Sequence, residues 1–321
     1  MTKILFITAT HLGDGILSTG ALDWLAQQHP DAEITVACGP VTEGIFNKAP
    51  CVKRVISMKK ERRSGHWIKL WKQTVGTKWD IIVDLRNTAV SRMLRSGKRY
   101  VWSKADANRH KVELIADVLG VSPPPAPTLW FDAKTLTEAD KILPGNSGDP
   151  VLAIGPTANW PGKEWQQERY AELVKRLTAD NGILPNARLA VIAAPGEEDR
   201  AWPVLRAVPE DRRIDAIAKG APLLGAAVLS RCSLYIGNDS GLMHAAAATG
   251  IPTLGIFGYG WPQLYRPWGD KGAYVTTPET PDELIAPYNG DPAVVRETLL
   301  SSLTVDAVHD AAVTLWNKTR N

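Results

Sequence analysis

The fold is decided by the stretch Ile236-Gly237-Asn238-Asp239-Ser240-Gly241-Leu242-Met243-His244. An apolar run ends there in a turn of small polar residues, and an alanine-rich segment and the apolar run Thr253–Phe257 follow. A strand, a tight polar turn and a helix in this order are typical of a parallel α/β sheet. The turn offers unpaired backbone N–H groups and the positive end of a helix dipole, which together bind anions. We therefore predict a phosphate-binding loop, in which His244 either faces the ligand or belongs to the core.

The same alternation extends outward in both directions. Short runs rich in Ile and Val predict strands at Lys3–Thr8, Glu33–Ala37, Arg54–Ser57, Asp80–Leu85, Val151–Gly155, Leu189–Ala193, Ser233–Gly237 and Thr253–Phe257. Segments of helical period lie between and after them, at Ile16–Gln28, Trp67–Val75, His110–Leu119, Gln166–Asp180, Glu198–Ala207, Leu242–Ala248 and Val305–Lys318. Repeated βαβ units of this kind predict an α/β fold with parallel sheets.

Two loops near the middle of the chain interrupt this pattern. The run Ser122-Pro123-Pro124-Pro125-Ala126-Pro127 cannot continue a helix or a central strand, and Pro144–Pro150 is rich in Gly, Asn and Ser. The 321 residues suit two domains of about 150 residues each. We place these domains at residues 1–145 and 146–321, with the last helix, Val305–Lys318, as a candidate to cross back onto the first domain.

The composition is that of a globular enzyme, with 44% hydrophobic and 22% charged residues. Cys38, Cys51 and Cys232 show neither a CxxC pair nor metal-ligand spacing, and their odd number gives no disulfide framework, which favours a reducing cytoplasm. The apolar start, Met1–Thr10, is too short for a signal-peptide core or for the ~20 residues that span a bilayer. We expect it to be the first buried strand of a cytoplasmic protein.

Positive charge is concentrated in one segment. Lys53–Lys111 contains 17 Lys and Arg against four acidic residues, whereas the whole chain carries a net charge of +3. Such a segment indicates an anionic partner, either a phosphorylated lipid, a membrane surface or nucleic acid, unless it is a solvated face without a partner. No recognised nucleic-acid-binding motif accompanies it, so we do not expect nucleic acid to be the partner.

Three further loops follow predicted strands, where open α/β sheets bind their ligands. Asp14, in His11–Gly15, either serves as a general base toward a sugar hydroxyl or caps the next helix. Lys163, in Gly155–Trp165, suits a diphosphate that gains negative charge as it leaves. The acidic residues Glu197–Asp199 either accept bonds from ribose hydroxyls or follow the usual acidity of a first helical turn.

In their order along the chain, these motifs resemble the ADP-heptose:lipopolysaccharide heptosyltransferases, glycosyltransferase family 9. The matching residues are Gly13-Asp14, Lys163-Glu164-Trp165, Asp239-Ser240-Gly241-Leu242-Met243-His244 and Phe257-Gly258-Tyr259-Gly260-Trp261-Pro262 with Pro267-Trp268-Gly269. The family usually has Thr at the position of Ser240. The resemblance implies a GT-B fold, two Rossmann-like domains facing across a cleft, with the acceptor on the first and the nucleotide sugar on the second. It also implies inverting, metal-independent transfer of a heptose from ADP-heptose to the lipopolysaccharide inner core, without a cofactor.

Carried over residue by residue, the resemblance assigns Asp14 as the general base. It assigns donor binding to Thr157, Lys163, Glu198, Asp239, Ser240, Gly241 and His244. For the anionic acceptor, lipopolysaccharide or a lipid-linked glycan, the candidate residues are Gly13, Lys60, Arg62, Arg63 and Arg86. Such an acceptor implies peripheral contact with a membrane surface, at the inner face of the bacterial inner membrane.

Alternative functions remain open. A glycosyltransferase that uses another nucleotide sugar for a different glycan shares the same loops, and so does a non-catalytic nucleotide-sugar sensing module, although Asp14 counts against the latter. A nicotinamide-dependent oxidoreductase needs G-x-G-x-x-G after the first strand, but Ser18 stands where the last glycine belongs. No Asp-x-Asp pair is placed for a metal ion, so we expect none.

Overall fold

The computed structural model describes residues 1–103, 106–144 and 148–320. The chain divides into two compact units, Met1–Asp132 and Ala133–Asn321. The helix Ala133–Ile142 belongs to the second unit because it packs against the helix Pro222–Leu229. The division therefore falls before the loop Pro144–Pro150. The boundary predicted from the sequence, between residues 145 and 146, lies within that loop.

The described part of the first unit contains five parallel strands in the order β3-β2-β1-β4-β5. They are β1 (Lys3–Ile7), β2 (Glu33–Cys38), β3 (Val52–Ser57), β4 (Trp79–Asp84) and β5 (Ser96–Val101). The helices are α1 (Leu12–Leu17), α2 (Thr19–Gln28), α3 (Pro40–Phe46), α4 (Gly65–Thr74), α5 (Ala89–Met93) and α6 (Lys111–Leu119). The central strand β1 is buried from Ile4 to Ile7, as expected for a parallel sheet covered on both faces.

The second unit, as far as it is described, contains six parallel strands in the order β11-β10-β9-β6-β7-β8. They are β6 (Val151–Gly155), β7 (Arg188–Ala193), β8 (Arg213–Ile217), β9 (Leu234–Asn238), β10 (Thr253–Phe257) and β11 (Gly272–Thr276). The helices are α7 (Ala133–Ile142), α8 (Gln167–Thr178), α9 (Glu198–Leu205), α10 (Pro222–Leu229), α11 (Gly241–Ala248), α12 (Pro262–Tyr265), α13 (Pro281–Ile285) and α14 (Val305–Arg320). The strand order reverses between β6 and β9, and ligands bind at such a switch point.

Helix α14 completes the second unit. It packs against α8, β10 and β11, and its Val308, Ala312 and Leu315 are buried in the same core as Trp165 and Tyr170. The last helix, whose placement the sequence left open, is therefore part of the second unit. None of the helices in the described residues combines the length and apolarity needed to cross a membrane.

The first predicted helix differs from the observed one. The segment Ile16–Gln28 is divided between α1 and α2, because Ser18 Oγ and Thr19 Oγ1 donate to the carbonyl oxygens of Gly15 and Ile16, each at 2.7 Å. Hydroxyl groups that bond to nearby backbone in this way compete with the regular helical hydrogen bonds. Helix α1 also begins at Leu12, before the predicted start. Asp14 therefore lies in its first turn rather than in a loop ahead of it.

Candidate active site

The buried side chain of Asn238, the last residue of β9, joins the two loops at the switch point. Its Oδ1 accepts hydrogen bonds from Trp165 N at 3.1 Å and from the hydroxyl of Tyr170 at 2.8 Å. Its Nδ2 donates to Pro156 O at 2.7 Å. Asn238 is fully buried, and a buried amide needs such partners. The loop after β6 is therefore held against the end of β9 by two hydrogen bonds, and helix α8 by a third.

The predicted phosphate-binding loop leads directly into α11. Ser240 is the N-cap residue and has an extended backbone, but its side chain makes no capping hydrogen bond. The first N–H groups of α11 are therefore not satisfied by that side chain, and they point toward the place where an anion binds. His244, one turn later, is 5% exposed, and its ring lies edge-on to Tyr265 with the centroids 6.3 Å apart.

Lys163 and Asp239 form an ion pair at this loop. Lys163 Nζ lies 2.5 Å from Asp239 Oδ2, and the two side chains are 28% and 9% exposed. Gly260 faces the same carboxylate, and a Cβ atom there would come within 2.8 Å of Asp239 Oδ2. The structure thus brings together two of the predicted donor residues, and it places a cation beside the start of α11.

A second polar cluster lies at the ends of β6 and β7. Glu197 Oε2 accepts hydrogen bonds from Thr157 Oγ1 at 2.6 Å and from Ala194 N at 2.9 Å. Thr157 is buried. For Glu198, the acidic residue assigned from the sequence, no hydrogen bond is found within the described residues. The carboxylate held beside Thr157 is therefore that of Glu197, one position earlier in the same acidic run.

Glu164 and Arg200 extend this cluster. Arg200 forms an ion pair with Glu164, and its Nη2 approaches Glu197 Oε1 to 3.8 Å. Ala158 N donates to Glu164 Oε1 at 2.8 Å. Burial raises the pKa of Glu164, while the hydrogen bonds from Ala158 and Arg200 act in the opposite direction. These contacts hold the loop that carries Lys163 in place, and no local pattern in the sequence indicates the pairing with Arg200.

Aromatic side chains flank the loop on its outer side. Trp160 and Tyr259 meet edge to face, with ring centroids 5.5 Å apart. Trp160 also lines an open groove of about 370 Å³ together with Pro161, Pro292, Ala293, Val295 and Arg296. Both features place apolar surface beside the segment that holds Lys163.

In the first unit, Asp14 lies between two glycines on α1. A Cβ atom at Gly15 would come within 2.5 Å of Thr42 Cγ2, so the helix approaches α3 closely at this point. The N-cap residue of α1 is His11 rather than Asp14. Asp14 Oδ1 is buried and, among the described residues, has no hydrogen-bond partner. No group of the described residues therefore competes for this carboxylate oxygen.

A cation, Lys111, lies near Asp14. Lys111 has a lowered pKa, mainly because it is buried; the charge of Asp14 opposes this change and that of Arg86 adds to it. Lys111 Nζ also lies 4.0 Å from the ring centroid of Trp102. Lys111, which no local motif singles out, therefore lies near Asp14 and near Arg86, a predicted acceptor residue.

The other predicted acceptor residues form a separate exposed segment between β3 and α4. Lys60, Arg62 and Arg63 are all exposed. Arg63 and Ser64 adopt left-handed backbone conformations, with φ of 52° and 60°, which costs about 1 kcal/mol for a residue with a side chain. Within the described residues, no hydrogen bond or ion pair joins this segment to Asp14.

A family model described as glycosyltransferase family 9 (heptosyltransferase) matches residues 98–283, more than half of the chain. The chain belongs to glycosyltransferase family 9. The matched region includes Lys163, the acidic run Glu197–Asp199 and the loop from Asn238 to His244. The resemblance found in the sequence is thereby confirmed at the level of the family.

One curated relative of this family 9 member is lipooligosaccharide heptosyltransferase 2 of Haemophilus influenzae. The two are 30% identical over 163 residues, which cover 50% of this chain and 45% of the relative. The chain thus spans about half the length of that protein in the alignment.

Solved structures resemble the whole chain. A family 9 glycosyl transferase from Veillonella parvula has a TM-score of 0.77 at 20% identity, with 99% of this chain and 97% of that chain covered. Escherichia coli ADP-heptose lps heptosyltransferase II has a TM-score of 0.74 at 18% identity, with both chains covered completely. The fold is therefore GT-B, with two parallel-sheet α/β domains, and this prediction from the sequence is confirmed.

Proposed function

We propose that this family 9 glycosyltransferase moves a heptose from ADP-heptose to the inner core of lipopolysaccharide, with inversion and without a metal ion. The observation that carries the proposal is the pair of Lys163 and Asp239 at the start of α11. It provides a cation and a helix N-terminus at the switch point of the second sheet, where folds of this kind bind nucleotides. The names of the relatives from H. influenzae and E. coli support heptose as the sugar and ADP as the nucleotide.

The donor site lies in the second unit. An ammonium group has three N–H donors, so Lys163 can bind a phosphate oxygen while it remains paired with Asp239. Ser240 and the first N–H groups of α11, from Gly241 onward, bind the diphosphate, and His244 lies on the same helix. Thr157 keeps the phosphate-contacting role that the resemblance gives it, and Glu198 keeps its ribose-binding role. Glu197, whose carboxylate the structure holds beside Thr157, shares that role.

The reaction is a single displacement. Asp14 takes the proton of the acceptor hydroxyl while the hydroxyl oxygen forms a bond to the anomeric carbon. The bond from that carbon to the diphosphate oxygen breaks on the opposite face, and ADP leaves with the electron pair, so that the configuration is inverted. Lys163 and the N–H groups of α11 stabilise the charge on ADP, which is the task of a metal ion in other transferases.

The acceptor is an anionic glycan. Gly13 adjoins Asp14 in the chain, and Lys111 lies near both Asp14 and Arg86. Arg86 binds a carboxylate or phosphate of the acceptor. The exposed Lys60, Arg62 and Arg63 bind further negative charges on lipopolysaccharide or on a lipid-linked glycan.

The acceptor is carried by a membrane, and the surface of α4 and α5 suits contact with it. These helices pack together and expose Ile68 and Met93, at 57% and 63%. Lys69, Lys72 and Arg92 are exposed on the same two helices. Apolar side chains surrounded by cations bind the interface of anionic lipid. We infer peripheral contact with the cytoplasmic face of the inner membrane.

A thermal-shift screen tests the donor. We expect ADP-heptose to raise the Tm, because a ligand at 100 times its Kd stabilises the folded state by about 2.7 kcal/mol. UDP- and GDP-sugars at the same concentration serve as controls and are expected to leave the Tm unchanged. Stabilisation by one of these controls but not by ADP-heptose would assign a different nucleotide sugar.

Asp14→Asn separates a transferase from a sensing module. We expect this variant to bind ADP-heptose like the wild type and to lose about 100-fold to 10,000-fold in kcat, the range for loss of a general base. Asp31→Asn, at an exposed position, removes the same charge and serves as the matched control. A wild-type protein that binds ADP-heptose but transfers nothing to heptose-deficient lipopolysaccharide would be a sensor.

A further inference from the structure

Tyr235 places a hydroxyl group inside the core of the second unit. It lies on β9 between Ala153 of β6 and Thr253 of β10, and it is fully buried. A Cβ atom at Gly155 would come within 2.1 Å of the Tyr235 hydroxyl oxygen, and one at Gly237 within 2.2 Å. These glycines are paired on β6 and β9. Together they form a groove that holds the hydroxyl near the carboxyl ends of the strands.

Ser240 is the polar neighbour of this hydroxyl. The two groups lie within reach of each other at the start of α11, and both oxygens are buried. Within residues 1–103, 106–144 and 148–320, neither makes a well-aligned hydrogen bond. Tyr170, which is also fully buried, donates to Asn238 at 2.8 Å. A buried hydroxyl without a bond costs free energy, and Phe would fill the groove without that cost. Packing alone therefore does not account for Tyr235.

The hydroxyl of Tyr235 is suited to act as a donor. Burial raises its pKa, and the nearby Ser240 hydroxyl opposes only part of this change, so that Tyr235 keeps its proton at neutral pH. A serine that accepts one hydrogen bond directs its own proton elsewhere, and linked hydrogen bonds polarise and strengthen each other. Ser240 makes no capping bond to α11, so its oxygen accepts no backbone N–H of the helix and is open to a donor such as Tyr235.

We propose that Tyr235 is a positioning residue that acts through Ser240. When a nucleotide is bound, the Tyr235 O–H donates to Ser240 Oγ, and the Ser240 O–H donates in turn to the diphosphate. This inference rests on the proposed nucleotide-sugar site at the start of α11. It explains why a tyrosine lies between two glycines on adjacent strands, directly below the predicted phosphate-binding loop.

A double-mutant cycle tests the coupling between the two residues. The full-length Tyr235→Phe, Ser240→Ala and double variants are titrated with ADP by calorimetry. We expect ADP binding about tenfold weaker for Tyr235→Phe, and at least as much weaker for Ser240→Ala, as for loss of a hydrogen bond to a charged group. The double variant is expected to bind ADP as Ser240→Ala does, because the tyrosine acts only through the serine. Tyr274→Phe, at an exposed position of β11, is the matched control.

Thermal stability separates positioning from packing. Removal of an unpaired buried hydroxyl is expected to leave the Tm unchanged or to raise it, so that unfolding cannot explain weaker ADP binding. Wild-type ADP affinity in Tyr235→Phe would overturn the proposal, whatever its Tm. Additive losses of ADP affinity in the double variant would also overturn the proposal, since they would show that Tyr235 affects nucleotide binding independently of Ser240.

The proposed nucleotide-sugar site at the start of α11 is tested separately, with the wild-type protein. Its Kd values for ADP, UDP and GDP are measured first, and the cycle uses the nucleotide that binds. Binding of UDP or GDP instead of ADP would refute the donor assignment, and the cycle would still decide the role of Tyr235. Binding of none of the three would refute both.

Discussion

We expect donor binding to depend most directly on Lys163. Its partner Asp239 is only 9% exposed, so Lys163→Ala leaves a buried carboxylate without its cation, beside the proposed place of the diphosphate. We expect ADP affinity and kcat to fall together, kcat by about 100-fold, the usual loss for one group that stabilises the leaving charge. Calorimetry with ADP and steady-state transfer rates measure the two effects.

Lys175→Ala is the control for this change. Lys175 is exposed on α8. Its removal alters the net charge equally and is expected to change neither ADP affinity nor kcat. A Lys163→Ala variant with wild-type kcat would show that another group stabilises the departing nucleotide.

Glu164 gives the second unit a dependence on pH. Burial raises its folded-state pKa above the ordinary value of 4.5, so folding takes up a proton between these two values. The stabilising contribution of protonated Glu164 is present below the ordinary pKa and is lost as the pH rises through the raised one. We therefore expect the Tm of the wild type, relative to that of Glu164→Gln, to fall as the pH rises across this window.

Calorimetric Tm values from about pH 4 to about pH 7 measure this difference. Glu168→Gln, at an exposed position of α8, is the matched control and is expected to follow the wild type. A constant difference between the wild type and Glu164→Gln would contradict the assignment of the raised pKa to Glu164.

At the scale of elements, Asn238 joins β9 to the loop after β6. Asn238→Ala leaves Trp165 N, the Tyr170 hydroxyl and Pro156 O without their partner, and we expect a loss of about 3 kcal/mol in the free energy of unfolding. Tyr170→Phe removes one of these bonds and is expected to cost about 1 kcal/mol. Urea unfolding measures both, in the transition that ADP shifts to higher urea concentration. Equal losses of unfolding free energy in Asn238→Ala and Tyr170→Phe would contradict the view that all three hydrogen bonds of Asn238 contribute to stability.

The strands were predictable from the sequence where they are buried. Every predicted strand has an observed counterpart, and central strands such as β6, buried along its whole length, appear as continuous apolar runs. Three of the four edge strands, β5, β8 and β11, gave no such signal, whereas the fourth, β3, was predicted from its Ile and Val residues. Strand β5 has the sequence Ser-Gly-Lys-Arg-Tyr-Val and exposes its charged side chains, since an edge strand needs less apolar surface. The hydrophobic pattern of a sequence indicates which residues are buried, and an edge strand has fewer buried residues than a central strand.

The candidate site was predictable in part for the same reason. Lys163 and Asp239 are 76 positions apart, yet each follows a buried strand, so topology alone brings them to one edge of the sheet. The pairing of Glu164 with Arg200 and the approach of Lys111 to Asp14 depend on tertiary packing. No spacing of residues along the chain encodes these contacts.

At the scale of the whole molecule, charge is divided unevenly along the chain. Because Lys53–Lys111 is strongly basic, we expect binding to vesicles that contain anionic lipid, and we expect that binding to weaken as salt is added. Lys60, Arg62 and Arg63, all changed to Ala, are expected to lower vesicle affinity by about 100-fold, at about 1 kcal/mol per cation. The same variant is expected to raise the Michaelis constant for the acceptor and to leave that for the donor unchanged.

The matched control changes the exposed Lys134, Lys141 and Lys175 of the second unit to Ala. It removes the same charge and is expected to bind vesicles like the wild type. Equal losses of vesicle affinity in the two triple variants would show that net charge alone, rather than the segment before α4, determines binding to the vesicles. Equal effects on the Michaelis constants for donor and acceptor would reject the acceptor role of these residues.

The division of the chain at Asp132 and Ala133 has a consequence for how its specificity can change. Lys163, Asp239 and Tyr235 belong to one compact unit, and Asp14 and Lys111 belong to the other. Substitutions of the proposed donor residues named here thus change the second unit, and substitutions of the proposed acceptor-side residues change the first. On this proposal, the choice of donor and the choice of acceptor are altered by substitutions in different parts of the chain. Recombination between relatives at this boundary could exchange one of them and keep the other.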